Sequence, residues 1–213
     1  YIPLDWKAIK NAGVDFVILK AGSTKGPDPV FEMNYKDAKE AGLDVGAYYY
    51  VYGMTPEEAI DDAKDFINLI KGKKFEYPLY MDFEDSSQRY IPAKTKTEMI
   101  RNFTSTLQDA GYYAGLYTGY YWMTPRFDIL EVDVVVDMLD IWFAHIDSAE
   151  SVSVDTTYTW NKDDNLGHSE FGMWQYAHKG VFDFIDNEVF DFNYAYKDYP
   201  SIIKNLRLNG YSD

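Results

Sequence analysis

The chain has 213 residues, 46% of them hydrophobic, which is enough for one sizeable core and a single domain over residues 1–213. Its formal net charge of −15 excludes the basic surface that nucleic acid or a polybasic membrane contact requires. The absence of cysteine excludes a disulfide framework and thiolate metal sites, and no apolar run approaches the ~20 residues of a membrane span.

In chain order, Asp5 is placed to cap a short helix over Trp6 to Asn11 that closes at Gly13. Asp15 to Ala21 is a nearly continuous apolar run, the mark of a strand covered on both faces. A turn-rich loop from Gly22 to Pro29 leads to a helix over Phe31 to Ala41, stopped by Gly42. Val45 to Val51 is the next strand. Thr55 and Glu58 form a capping box, with Pro56 at the first helical position and Ile60, Ala63, Phe66, Ile67 and Ile70 as the buried stripe. Tyr77 to Phe83 is the third strand, and a long helix from about Lys94 to Ala110 follows. Tyr112 to Thr118 is the fourth strand, after which Gly119 opens an aromatic loop, Tyr120-Tyr121-Trp122.

The second half is less regular. Asp128 to Asp137 is acidic and β-branched and takes no firm assignment. Asp140 to Ala144 reads as a strand, His145 to Glu170 as an acidic loop holding Trp160, and Gly172 to Ala177 as another strand. Phe182 to Ile185 and Val189 to Asn193 suggest short strands or a hairpin, and Tyr199 to Leu206 a final helix. Strand and helix alternate at least four times, which means parallel strands joined by crossover helices. The expected fold is α/β, an irregular (β/α) barrel of TIM type. An open doubly wound sheet is the competing architecture, but the chain carries no glycine fingerprint for cradling phosphate.

The stretch Tyr77-Pro78-Leu79-Tyr80-Met81-Asp82-Phe83-Glu84-Asp85 organises the functional reading. Asp82 and Glu84 leave one face of a strand, with Cα atoms roughly 6–7 Å apart at a rise of about 3.3 Å per residue. Two such carboxylates repel when ionised, so one is pushed to hold a proton beside an ionised neighbour, as glycoside hydrolysis requires. The competing reading is a solvated loop opening in acids. In barrels of this type the sites lie at the C-terminal ends of strands, where this pair falls.

The ordered motifs of the chain resemble the glycoside hydrolase family 25 lysozymes. Asp5-Trp6 with Ala12 to Ala21 is similar to the family's first helix and second strand, and Asn34-Tyr35 with Ala41 to Tyr48 to its next unit. Tyr80-Met81-Asp82-Phe83-Glu84 matches the D-x-E strand. Gly115 to Thr118, Ile141 to Ala144, Trp174-Gln175-Tyr176 and Asp191-Phe192-Asn193 match later segments in order. The resemblance implies an N-acetylmuramidase that cleaves the β-1,4 bond between N-acetylmuramic acid and N-acetylglucosamine. It implies Glu84 as general acid, Asp82 as the ionised partner of the developing positive charge, and Asp191 as a third carboxylate.

Tyr48 and Tyr50 share a strand face. One of them, with Tyr117 and Trp174, is expected to line the sugar cleft, against a core-filling reading for each. Lys20 stands in an apolar strand and is expected to meet a carboxylate. The scattered histidines His145, His168 and His178 suggest no metal site, and no cofactor is expected. The expected partners are peptidoglycan glycan strands, with no nucleic acid or membrane contact, for a monomer that acts outside the cell or at the wall. No signal peptide is present in the chain. The family opens with a strand bearing G-[IV]-D-[VI]-S; the chain begins at Tyr1, so that first strand and its aspartate are expected to be missing, leaving two unpaired edges. The alternative function is a non-catalytic wall-binding barrel or an inactive truncated form.

Overall fold

The computed structural model describes residues 4–146, 150–154, 156, 171–186 and 188–211. Trp160, His168 and most of the loop expected between His145 and Glu170 lie outside them, as do Tyr1 to Pro3. The elements run α1 (Trp6–Asn11), β1 (Phe16–Ser23), β2 (Gly26–Pro27), α2 (Phe31–Glu40), β3 (Asp44–Tyr50), α3 (Pro56–Ile70), β4 (Leu79–Asp82), α4 (Ala93–Asp109) and β5 (Ala114–Gly119). They continue with α5 (Tyr120–Met123), α6 (Val132–Met138), β6 (Asp140–Ala144), β7 (Val152–Ser153), β8 (Met173–Val181), β9 (Phe190–Ala195) and α7 (Tyr199–Leu206).

The helix signals act as the residues dictate. Asp5 accepts the Ala8 N–H at 2.9 Å. Thr55 accepts the Glu58 N–H at 3.2 Å, while the Glu58 carboxylate reaches one residue further than a capping box requires and accepts the Met54 N–H. The aromatic loop after Gly119 is instead a single helical turn, and the unassigned acidic stretch holds α6, which buries only Val132 and Val135. Phe182 to Ile185 is a turn; the hairpin is β8 with β9.

The strands form one nine-stranded sheet in the order β2-β1-β3-β4-β5-β6-β8-β7, with β9 antiparallel on the far side of β8. Away from the register shifts at Lys20/Gly22 and in the β8–β9 pair, the strands alternate. Leu19, Ala47, Tyr49, Met81, Leu116 and Phe143 face the helices in the larger core. Ile18, Tyr48, Tyr80, Tyr117, Trp142 and Met173 face inward, where they make a second, aromatic core. Gly115 keeps that inner layer closed, because a Cβ there would stand 2.6 Å from the Tyr80 ring. The sheet is mixed and curled, with two edges among the described residues. Phe16 to Lys20 of β1 pair with β3 alone, and β9 pairs with β8 alone. Both edges line one cleft of about 550 Å³, from Asp15 and Ala195 at one end to Lys20 and Asp191 at the other.

At the N-terminal end of the strands, Asn209 plugs the sheet in the left-handed region at φ 53°. Its side chain accepts the Tyr113 N–H and donates to the Tyr77 carbonyl, and its own N–H donates to Gly111. Beside it, buried Glu76 accepts from Lys39, from the Tyr211 hydroxyl and from the Val45 N–H. Burial alone would raise that carboxyl, but these three donors together hold it below its ordinary range.

A second buried acid does the reverse. Asp62 on α3 is 3% exposed and accepts the Thr24 hydroxyl at 3.0 Å. Burial, reinforced by Asp65, Glu58 and Asp61, lifts it to about 6. Its folded value lies above its unfolded one, so its contribution is fully present at low pH and is lost as pH rises toward about 6. Asp62→Asn should therefore melt higher than the parent at pH 8, by about 2–4 °C for each kcal/mol recovered. The gap should shrink toward pH 4. Melting curves at both pH values check this, and a gap independent of pH would remove Asp62 from the role.

Candidate functional site

The C-terminal ends of the parallel strands bring the acids together. Asp82 is the last residue of β4, in register with Tyr50 on β3 and Tyr117 on β5, so it shares their inward direction. Glu84 follows just past the strand. Its Oε2 lies 4.0 Å from the point a Cβ on Gly119 would occupy, so the last residue of β5 leaves space above the acid. Asp191 comes from β9 across the curled sheet, beside Gln175.

Depth divides the acids. Asp82 is 5% exposed, and its Oδ1 has no hydrogen-bond partner among the described residues. Burial lifts Asp82 well above the carboxylate range, the charge of Glu84 adds to this, and Lys20 opposes it. Burial also raises Glu84, followed by the charges of Asp191 and Asp85. Asp191 is raised by burial, against the pull of His178 and a hydrogen bond with Gln175. Of the neighbouring charges, Asp191 bears most on Glu84, followed by Asp85. Asp82, the ionised partner expected from the sequence, is the most buried of the three, and Lys20 is the charge that favours its ionised form.

The aromatic residues sort by strand period. Tyr48 lies on the inner face, edge-on to Trp142 at 6.2 Å, and lines the cleft with Lys20 and Asp191. Tyr117 donates its hydroxyl to Gln175 Oε1 at 2.8 Å. Tyr50 donates to Asp85 Oδ2 at 3.2 Å and stacks near Tyr52, with ring centroids 4.6 Å apart. Lys20 Nζ sits 5.6 Å from the Tyr50 ring centroid and acts on Asp82 through its charge, without a direct ion pair among the described residues.

Trp174 stands apart. It is 2% exposed in the helix-facing core and donates its indole N–H to the His145 carbonyl. One residue along, Gln175 faces inward. The sequence reading gave no role to Gln175, Trp142 or Asn193, whose Oδ1 accepts the Trp142 indole N–H at 2.8 Å. A polar residue between two aromatics on a strand was the available signal for Gln175. Among the described residues no group of three His, Asp or Glu is placed to hold a metal ion, and no helix is long and apolar enough to cross a membrane.

Residues 3–185 match the family model described as glycosyl hydrolases family 25. An autolytic lysozyme of Clostridium acetobutylicum is 30% identical over 118 residues, which cover 54% of this chain and 34% of that protein, so the chain spans about a third of its curated relative. Among solved structures, the modular autolysin LytC of Streptococcus pneumoniae is 25% identical with a TM-score of 0.70, over 89% of this chain and 42% of that one. A bacterial lysozyme from Streptomyces coelicolor superposes with a TM-score of 0.70 at 20% identity, over 98% of this chain and 93% of that one. The CTP1L endolysin superposes with a TM-score of 0.67 at 21% identity, over 96% of this chain and 65% of that one.

Proposed function

The chain belongs to glycosyl hydrolases family 25, and from that premise we propose that it hydrolyses peptidoglycan at the β-1,4 bond between N-acetylmuramic acid and N-acetylglucosamine. The observation that carries this reading is the convergence of Glu84, Asp82 and Asp191 at the strand ends, with Glu84 the more accessible of the D-x-E pair. Glu84 gives its proton to the glycosidic oxygen as the bond to C1 breaks. Asp82 lies too deep to be the first group the sugar meets. It receives the N–H of the substrate's acetamido group, whose carbonyl oxygen covers the positive charge at C1. Glu84, now ionised, takes a proton from the water that opens this intermediate. Asp191 keeps Glu84 protonated until it is needed. Tyr48, Tyr50, Tyr117 and Lys20 form the walls, while Trp174 supports them from behind.

The pH profile tests the coupling. Asp191→Asn removes a negative neighbour, so the Glu84 carboxyl falls and the alkaline limb of wall clearing moves to lower pH. Turbidity assays across a pH series read the limb directly. An alkaline limb that stays in place would show that Asp191 does not act on Glu84.

The cleft between β1 and β9 supports a further part of the reading. An extended strand seated there satisfies both open edges and closes the sheet as a (β/α) barrel, in the position the family resemblance gives to its aspartate-bearing strand. The whole acts as one domain and as a monomer, outside the cell or at the wall, on glycan strands and without nucleic acid or membrane. Reducing-end release from purified walls tests the function. Binding without release would favour the non-catalytic wall-binding alternative.

A further inference from the structure

The turn between β1 and β2 carries a cation that the proposed chemistry does not use. Ser23 pairs with Gly26 across the turn, and the Ser23 hydroxyl accepts the Lys25 N–H at 3.2 Å. The Thr24 N–H donates to the Tyr50 carbonyl. The Thr24 hydroxyl accepts the Tyr52 N–H at 2.8 Å while donating to buried Asp62. Thr24, the residue before Lys25, is thus held by β3 and α3, and Lys25 itself by the Ser23 hydroxyl. Its ammonium sits 3.6 Å from the centroid of the Tyr52 ring, a close cation–π contact.

From Tyr52 the path to the acids is short. Tyr52 packs on Tyr50, and Tyr50 bonds Asp85 and feels the charges of Asp82 and Glu84. Lys25 therefore stands on the rim of the same site, exposed, its charge acting on Asp85 without a direct ion pair among the described residues. The chain carries 35 acidic and 20 basic residues. A fixed, exposed ammonium that is offset by Asp85 only at a distance, with no direct ion pair among the described residues, is set to take an anion from outside, where the surrounding acids would otherwise repel one.

We propose that Lys25, held over Tyr52, is a binding subsite for a carboxylate on the stem peptide borne by the muramoyl residue. The inference rests on peptidoglycan being the substrate. It adds a specificity: glycans whose peptide carboxylates are free are preferred over those whose carboxylates are amidated. Arginine preserves the charge and the ring contact, whereas glutamine keeps the length and loses the cation.

Calorimetric titration of the intact chain with two soluble muramyl glycopeptides, identical except for free or amidated peptide carboxylates, tests this at low salt. The free form should bind about three- to five-fold more tightly, the scale of one exposed charge pair, and 0.5 M salt should erase the preference. Lys25→Gln should bind both forms alike, Lys25→Arg should keep the preference, and Lys36→Gln on the far-removed α2 should leave it unchanged. Equal binding of both forms by the parent, no measurable binding of either, or a preference retained in Lys25→Gln would each overturn the subsite. Because the readout is binding, it is separate from hydrolysis. Reducing-end release from the amidated glycan reports on the proposed reaction alone, whatever Lys25 does.

Discussion

Glu84→Gln lowers bacterial wall clearing by about a thousandfold in any form of the protein that clears walls, the middle of the range for removing a general acid. The substitution keeps the shape of the side chain and deletes its transferable proton. The fold should not pay for it: the ladder from β4 to β5 ends at Asp82 and Tyr117, and the next contact, Thr118 hydroxyl to Phe83 carbonyl, does not involve Glu84. A carboxyl raised by burial costs stability at neutral pH, so the amide variant should melt no lower than its parent. Turbidity loss on purified walls, reducing-end release and a melting curve together make the test. Clearing near the parent's rate would remove Glu84 from the role and return the question to Asp82 and Asp191.

The second large effect is expected from filling the cleft between β1 and β9. An extended segment there makes main-chain hydrogen bonds to both edges, each worth about 1 kcal/mol net. Several such bonds, less the cost of ordering the segment, should raise the melting temperature by roughly 10 °C. The clearing rate should rise with it, because the same insertion fixes Lys20 and Asp191, which line that cleft. Hydrogen exchange gives the residue-level check: amides on the open edges of β1 and β9 should become protected, while those between β4 and β5 stay as they were. If the segment raises neither stability nor protection at those edges, the two strands do not await a third between them.

The regular half of the molecule was legible because its apolar runs and capping residues repeat the same unit: strand, loop, capped helix, glycine stop. The D-x-E pair was legible because a period of two fixes its direction. What could not be read was depth. Sequence puts Asp82 and Glu84 on one side of a strand, but only the packed inner layer, in which Tyr80, Tyr117 and Trp142 meet, makes Asp82 the deeper of the two. Trp174 shows the same limit. Its motif predicts a strand correctly, yet nothing in Trp174-Gln175-Tyr176 says which side meets the helices, and the glutamine takes the inward place. Residues 132–138 escaped assignment because a helix with two buried valines and an acidic face leaves hardly any periodic signal.

The plug formed by Asn209 bears on how the protein is made. Its partners Tyr77 and Tyr113 lie 132 and 96 positions upstream. Their strands can be synthesised and can meet their helices well before this asparagine leaves the ribosome, yet the ends of β4 and β5 are not sealed until it arrives. The chain therefore waits during translation with this sheet end unstoppered, at the stage when exposed apolar surface invites chaperones and aggregation. A ribosome stalled anywhere before residue 209 would carry a nascent chain that is collapsed but unlatched. Locking is set by the arrival of Asn209 more than by the rate at which the strands pair.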